Sequence, residues 1–113
     1  MRFYLNSGDL LRQLVPHEVL PVTEENNGVS FIIYKGYLDL WSENATTGMA
    51  IETEQAIVAY VPLDKTLQAL RGINQQQIIL ELHEYSPSKI YATRLIDEDK
   101  PEREQICFIL ADV

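Results

Sequence analysis

The chain has 113 residues, 46% of them hydrophobic and 23% charged, enough for one ordinary core but not two, so residues 1–113 are expected to form a single domain. Seventeen acids against nine bases give a formal charge of −8, which repels phosphate at long range and disfavours nucleic-acid binding by the isolated domain. A lone Cys107 excludes an internal disulfide, and the opening Met1–Leu5 run breaks at Asn6, Ser7 and Gly8, too short for a signal-peptide core or a membrane span; a reducing, cytoplasmic setting with no membrane partner is expected.

Arg2 to Leu5 reads as a first strand. Asn6 or Ser7 can cap the helix that follows, Asp9 to Val15, in which Asp9 suits the first turn and Leu10, Leu11, Leu14 and Val15 form the buried stripe before Pro16 ends it. His17 to Gly28 is a polar connection. Val29 to Tyr34 and Tyr37 to Ser42 then flank the tight turn Lys35-Gly36, with Tyr37, Asp39 and Trp41 on one face of the hairpin and Leu38 and Leu40 on the other. Ala45 to Gly48 reads as the next turn. Met49 to Glu54 alternates Met49, Ile51 and Thr53 against Ala50, Glu52 and Glu54.

The most legible stretch comes next. Ile57 to Val61 is a β-rich run, Pro62 sits where a missing N–H costs nothing, Leu63, Leu67 and Leu70 recur on one helical face, and Gly72 supplies the stop, so a helix is expected over Leu63 to Arg71. Gln77 to Glu84 alternates Ile78, Leu80 and Leu82 as a strand. Tyr85 to Ser88 is a turn, Lys89 to Ile96 a strand, Asp97 to Glu104 a charged loop, and Gln105 to Ala111 a last strand. The order strand, helix, antiparallel strands thus occurs twice. It defines an α+β fold, a duplicated βαβββ pattern with two short helices on one side of antiparallel β-structure.

Nothing in this pattern spells out a reaction. His17 lies in a connection, and the side chain of Glu84 points away from its neighbour His83, so both histidines read as solvent-facing or capping groups. Cys107 falls in the apolar run Ile106 to Leu110, where a buried thiol is inert packing. No Cys or His pair has metal-ligand spacing. Asp97, Glu98 and Asp99 lack the glycine and alternating ligands of a calcium loop, and there is no phosphate loop or nucleophile elbow. No catalytic residue, cofactor or metal is therefore assigned. Tyr37 and Trp41, with Asp39 between them, are candidate interface residues, although rings at a core edge with wet polar tips would look the same. Tyr60 and Tyr91 carry no specific signal.

The plan and the residues that fill it resemble one domain of the bacterial DNA polymerase sliding clamp. Met1 to Leu5 followed by Asp9 to Leu14 is similar to the clamp's first strand and helix, Val19 to Val22 to its Leu-Pro segment, Gly36 to Leu40 to the strand after it, and Val61 to Leu67 with Leu70 and Gly72 to the second helix. The resemblance implies inner helices that face DNA, which here offer only Arg12, Lys65 and Arg71. It implies a ring that would need about six copies of this domain joined edge to edge. Edges for such pairing are the strands holding Ile51 and Phe108. One function is then a non-enzymatic clamp-like domain acting by self-assembly or by docking on a protein partner, linked to replication or repair. A second is a small acidic interaction protein, of the immunity or inhibitor type, that occupies a basic site on its partner.

Overall fold

Asn6 closes the first strand and opens the first helix. Its side chain accepts the N–H groups of Gly8 and Asp9 at 2.9 and 3.2 Å, so Asn6 rather than Ser7 is the cap. A computed structural model describes residues 1–19, 21, 23, 26–73, 77–95 and 103–109 of the chain. In it β1 spans Arg2–Asn6 and α1 spans Ser7–Leu14, starting earlier than the apolar stripe suggests. Helical winding then continues as one 3-10 turn, Val15–His17, with Pro16 in its first turn, where no N–H is needed.

Strands β2 (Gly28–Tyr34) and β3 (Tyr37–Trp41) meet at Lys35 and Gly36, with φ of 51° and 75°, the left-handed pair that a two-residue hairpin turn requires. Strand β4 is Thr46–Ala50 and β5 is Ile57–Pro62. Helix α2, Leu63–Arg71, has the expected bounds. Its start is held from a distance: the Asn27 carbonyl accepts the Leu63 N–H at 2.8 Å and the Asn27 Oδ1 accepts the Asp64 N–H at 2.9 Å. Pro62 has no side-chain oxygen to do this. Gly72 ends the helix with φ of −82°, so it acts without a left-handed turn. Strands β6 (Gln77–Glu81), β7 (Lys89–Leu95) and β8 (Arg103–Ile109) complete the order.

The eight strands form two antiparallel sheets, β4-β3-β2-β5 and β1-β6-β7-β8. The first strand of each half thus belongs to the other half's sheet. β1 runs beside β6 from Arg2 opposite Glu81 to Asn6 opposite Gln77, and β5 beside β2 from Gly28 opposite Pro62 to Ile33 opposite Ile57. Neither sheet is complete without the exchange. Helices α1 and α2 touch each other, and their buried Leu10, Leu14, Leu67 and Leu70 enter one core with Phe3, Phe31, Leu38, Leu80 and Ile90.

The fourth strand departs from expectation. Met49 to Glu54 reads as the strand and Ala45 to Gly48 as the turn, yet the chain turns earlier, where the Ser42 N–H meets the Ala45 carbonyl at 3.1 Å, and pairs from Thr46 opposite Trp41 to Ala50 opposite Tyr37. Two β-branched threonines suit that ladder. Ile51 lies beyond the strand, buried in the core, with its N–H on the Gly36 carbonyl at 3.0 Å, so it is not part of a free edge. The expectations for Leu20 and Val22, for residues 97–102 and for the side chains of Cys107 and Phe108 lie outside the described residues.

Candidate functional site

The three cations expected on the helices sit at exposed positions, two of them in ion pairs. Arg12 pairs with Asp9 one turn back on α1. Arg71, in the last turn of α2, forks onto both oxygens of Glu18 at 3.1 Å, which holds the Glu18 carboxyl below the usual range and the Arg71 guanidinium above its own. Lys65 follows Asp64, whose carboxylate accepts the Lys65 N–H at 2.7 Å. Arg12 and Arg71 are thus paired with acids, whereas Lys65 makes no ion pair among the described residues. Between the paired Arg71 and Glu18 and the buried Leu63 and Leu67 lies an open groove of about 380 Å³ along α2.

His17 is not solvent-facing; it is fully buried. Its Nε2 lies 2.8 Å from Thr47 Oγ1 and its Nδ1 2.6 Å from Ser42 Oγ. Thr47 gives its own proton to the Gln13 carbonyl at 2.6 Å, so its oxygen must accept from Nε2–H, and Nδ1 is left to accept from Ser42. Burial lowers the His17 pKa and keeps the ring neutral. A serine facing a histidine suggests nucleophilic catalysis, but the group behind the ring is a neutral hydroxyl. It cannot stabilise an imidazolium as a carboxylate does. The histidine is a structural tie between the 3-10 turn, the end of β3 and the edge strand β4.

His83 has a partner that its neighbour Glu84 does not reveal. Glu81, two residues back and on the same face, lies 2.7 Å from Nε2 and also pairs with Arg2 at 3.2 Å. Burial raises the Glu81 pKa, but the hydrogen bonds from His83 and Tyr91 and the charge of Arg2 bring it below normal overall. Among the described residues no serine, threonine or cysteine side chain bonds the His83 ring, and no three metal-ligating side chains converge. This is a charge network on a sheet surface.

The outer face of the sheet β4-β3-β2-β5 is different in kind. Tyr34, Tyr37, Trp41, Val58 and Tyr60 are each 45–60% exposed there, and the pairing sets Tyr34 opposite Tyr37 and Ser30 opposite both Trp41 and Tyr60. Asp39 separates Tyr37 from Trp41 as the alternation requires. The rings pack closely across glycines: a Cβ on Gly48 would lie 2.6 Å from the Tyr37 ring, and one on Gly28 would overlap the Tyr60 hydroxyl. Tyr60 joins this surface through β5, a partnership its sequence neighbours do not announce. On the free edges, β4 and β8 each pair on one side, and Phe108 stands opposite Ile90.

No protein-family model and no curated protein sequence matches the chain. Solved structures that share its architecture include bacterial beta clamps. The Helicobacter pylori beta clamp in complex with 3,4-difluorobenzamide superposes with a TM-score of 0.66 at 16% identity, covering 99% of this chain and 30% of the clamp chain. The same clamp bound to a DNA ligase peptide gives 0.66 at 15% identity with the same coverage. A sliding clamp (DNA polymerase III subunit beta) from Bartonella birtlesii bound to griselimycin gives 0.62 at 14% identity, again over 99% and 30%. At such identity the likeness defines the fold: this is a clamp-like α+β domain. It spans about 30% of the length of the clamps it matches.

Proposed function

We propose that this chain is a non-enzymatic clamp-like domain that works by assembling with protein, first with copies of itself through free strand edges and otherwise by docking a partner, in the cytoplasm and in the service of DNA replication or repair. The supporting observation is the likeness of nearly the whole chain to 30% of a beta clamp chain. Among the described residues β4 and β8 each have a strand partner on one side alone, which leaves the other side for extending a sheet. Charge favours protein over DNA as the direct contact. The net charge is −8, and Arg12 and Arg71 are already engaged by Asp9 and Glu18, so a phosphate contact through either arginine must first break an internal pair.

Sedimentation velocity of the full chain, alone and with duplex DNA at physiological salt, tests this. The expected result is a species heavier than the 13.0 kDa protomer that grows with concentration and does not carry DNA with it. A protomer at every concentration contradicts self-assembly. Tight, salt-resistant co-sedimentation of the protomer with DNA contradicts the protein-directed reading. The exposed aromatic face on a strongly acidic chain supports the second reading, an acidic inhibitor-like protein, and a one-to-one complex with a basic partner without self-association would select it.

A further inference from the structure

A slot lies between Trp41 and Tyr60 on the outer sheet face. Both residues stand opposite Ser30 of the central strand β2, so their backbones lie two strand spacings apart, about 9–10 Å, with a small residue between. The Tyr60 ring turns across Gly28, which has no side chain to obstruct it. Asn26 is held at the lip, its Oδ1 accepting the Thr23 N–H at 2.7 Å and its amide donating to the Pro21 carbonyl at 3.1 Å. Together with Glu43 and Asn44 these residues line a cavity of about 90 Å³.

Size, charge and shape select the occupant. The volume is several times the roughly 10–15 Å³ that one water needs and well below the roughly 300–1,000 Å³ of a small-molecule site, which fits the head of one side chain. Two of the lining side chains, Trp41 and Tyr60, are aromatic, and aromatic rings attract cations over their faces. Glu43 is the charged group in the lining and has no ion-pair partner among the described residues. Two sheet tyrosines carry the chain's own cations, Lys35 over Tyr34 at 5.2 Å and Arg2 over Tyr91 at 5.1 Å, whereas among the described residues none lies over Trp41, Tyr60, Tyr4 or Tyr37. A slot between rings with carboxylate and amide oxygens at its rim suits a flat group with many donors. Guanidinium is such a group, weakly hydrated and able to stack, whereas ammonium is compact and strongly hydrated.

We infer that this slot takes the guanidinium of an arginine presented by a partner protein segment, stacked between Trp41 and Tyr60 with Glu43 at its edge. The inference deepens the docking part of the proposed function and rests on it only in taking the occupant to be a protein segment. Trp41 is the single tryptophan of the chain, so its emission reports the slot directly. The full chain is titrated with the blocked peptide Gly-Arg-Gly and with the same peptide carrying neutral citrulline, while light scattering records the oligomeric state of each sample. Expected are a saturable emission change with the arginine peptide, none with citrulline, binding about twofold to fivefold weaker in Tyr60→Leu, the range for one exposed cation–ring contact, and about 1.5-fold to fivefold weaker in Glu43→Gln, the range for one exposed ion pair. Glu52→Gln, an equal charge change at an exposed position outside the slot lining, should leave it unchanged. Equal response to citrulline, equal weakening by Glu52→Gln, or no saturation at all overturns the inference. A protomer that still shows the arginine-specific response removes self-assembly and leaves the slot standing.

Discussion

Protonating His17 would place a charge where the surroundings offer only two hydroxyls, and that makes its titration a stability term. With its pKa below the ordinary 6.5 in the folded chain, the unfolded chain binds more protons between the folded value and 6.5. The contribution is therefore fully present above 6.5 and is lost as pH falls through the folded pKa. Urea unfolding across that window should show wild type losing stability on acidification, with a much flatter profile for His17→Ala. At neutral pH the variant should be less stable by at least about 1–3 kcal/mol, because it opens a buried polar gap. The depressed carboxyls of Glu18 and Glu81 act in the same direction but only at more acid pH, near and below 4.5, so the two effects separate. A wild-type profile as flat as that of the variant would mean the ring is not held as described. His17 could not be read from sequence as a tie because Ser42 and Thr47 lie 25 and 30 residues away. Trp41 and Tyr60 are the same case, brought together by Ser30 across two ladders.

Elements whose signals are local were legible. Helix α2 carries its own start, stripe and stop in Pro62, Leu63, Leu67, Leu70 and Gly72, and the structure repeats those bounds. Leu67 is 2% exposed within the core, so Leu67→Ala should cost about 2–5 kcal/mol in chemical denaturation. A loss within about half a kcal/mol would mean the buried face is misassigned. The cap of the same helix was hidden, because Asn27 comes from the connection before β2. Asn27→Ala should cost about 0.5–2 kcal/mol in the same series, and no change would mean the Asp64 N–H finds water equally well. Strand β4 failed for a different reason. Thr46, Thr47 and Gly48 look like turn residues in isolation, whereas the ladder to Leu40 and Asp39 and the approach of the Tyr37 ring over Gly48 make them strand. The shift also takes Ile51 out of the candidate edge, since its N–H serves the Gly36 carbonyl inside the chain.

At the scale of the molecule, the duplicated plan was visible in the order of elements, but the exchange of first strands between halves was not, since pairing of β1 with β6 and β5 with β2 has no short-range signature. That exchange leaves β4 at one outer edge and β8 at another, on different sheets. A contact from one edge to the other is head-to-tail and closes into a ring or runs on as a filament, whereas edge to like edge gives a two-fold dimer. Both use the same unpaired amides. Hydrogen exchange of the β4 and β8 backbone amides, followed as protein concentration is raised, reads them directly. If strand edges are the working surface, amides within Thr46–Ala50 or Arg103–Ile109 become protected with concentration while those of the central strands β2 and β3 keep their rates. Exchange at the β4 and β8 edges that stays independent of concentration up to the highest attainable would contradict assembly through those two strands.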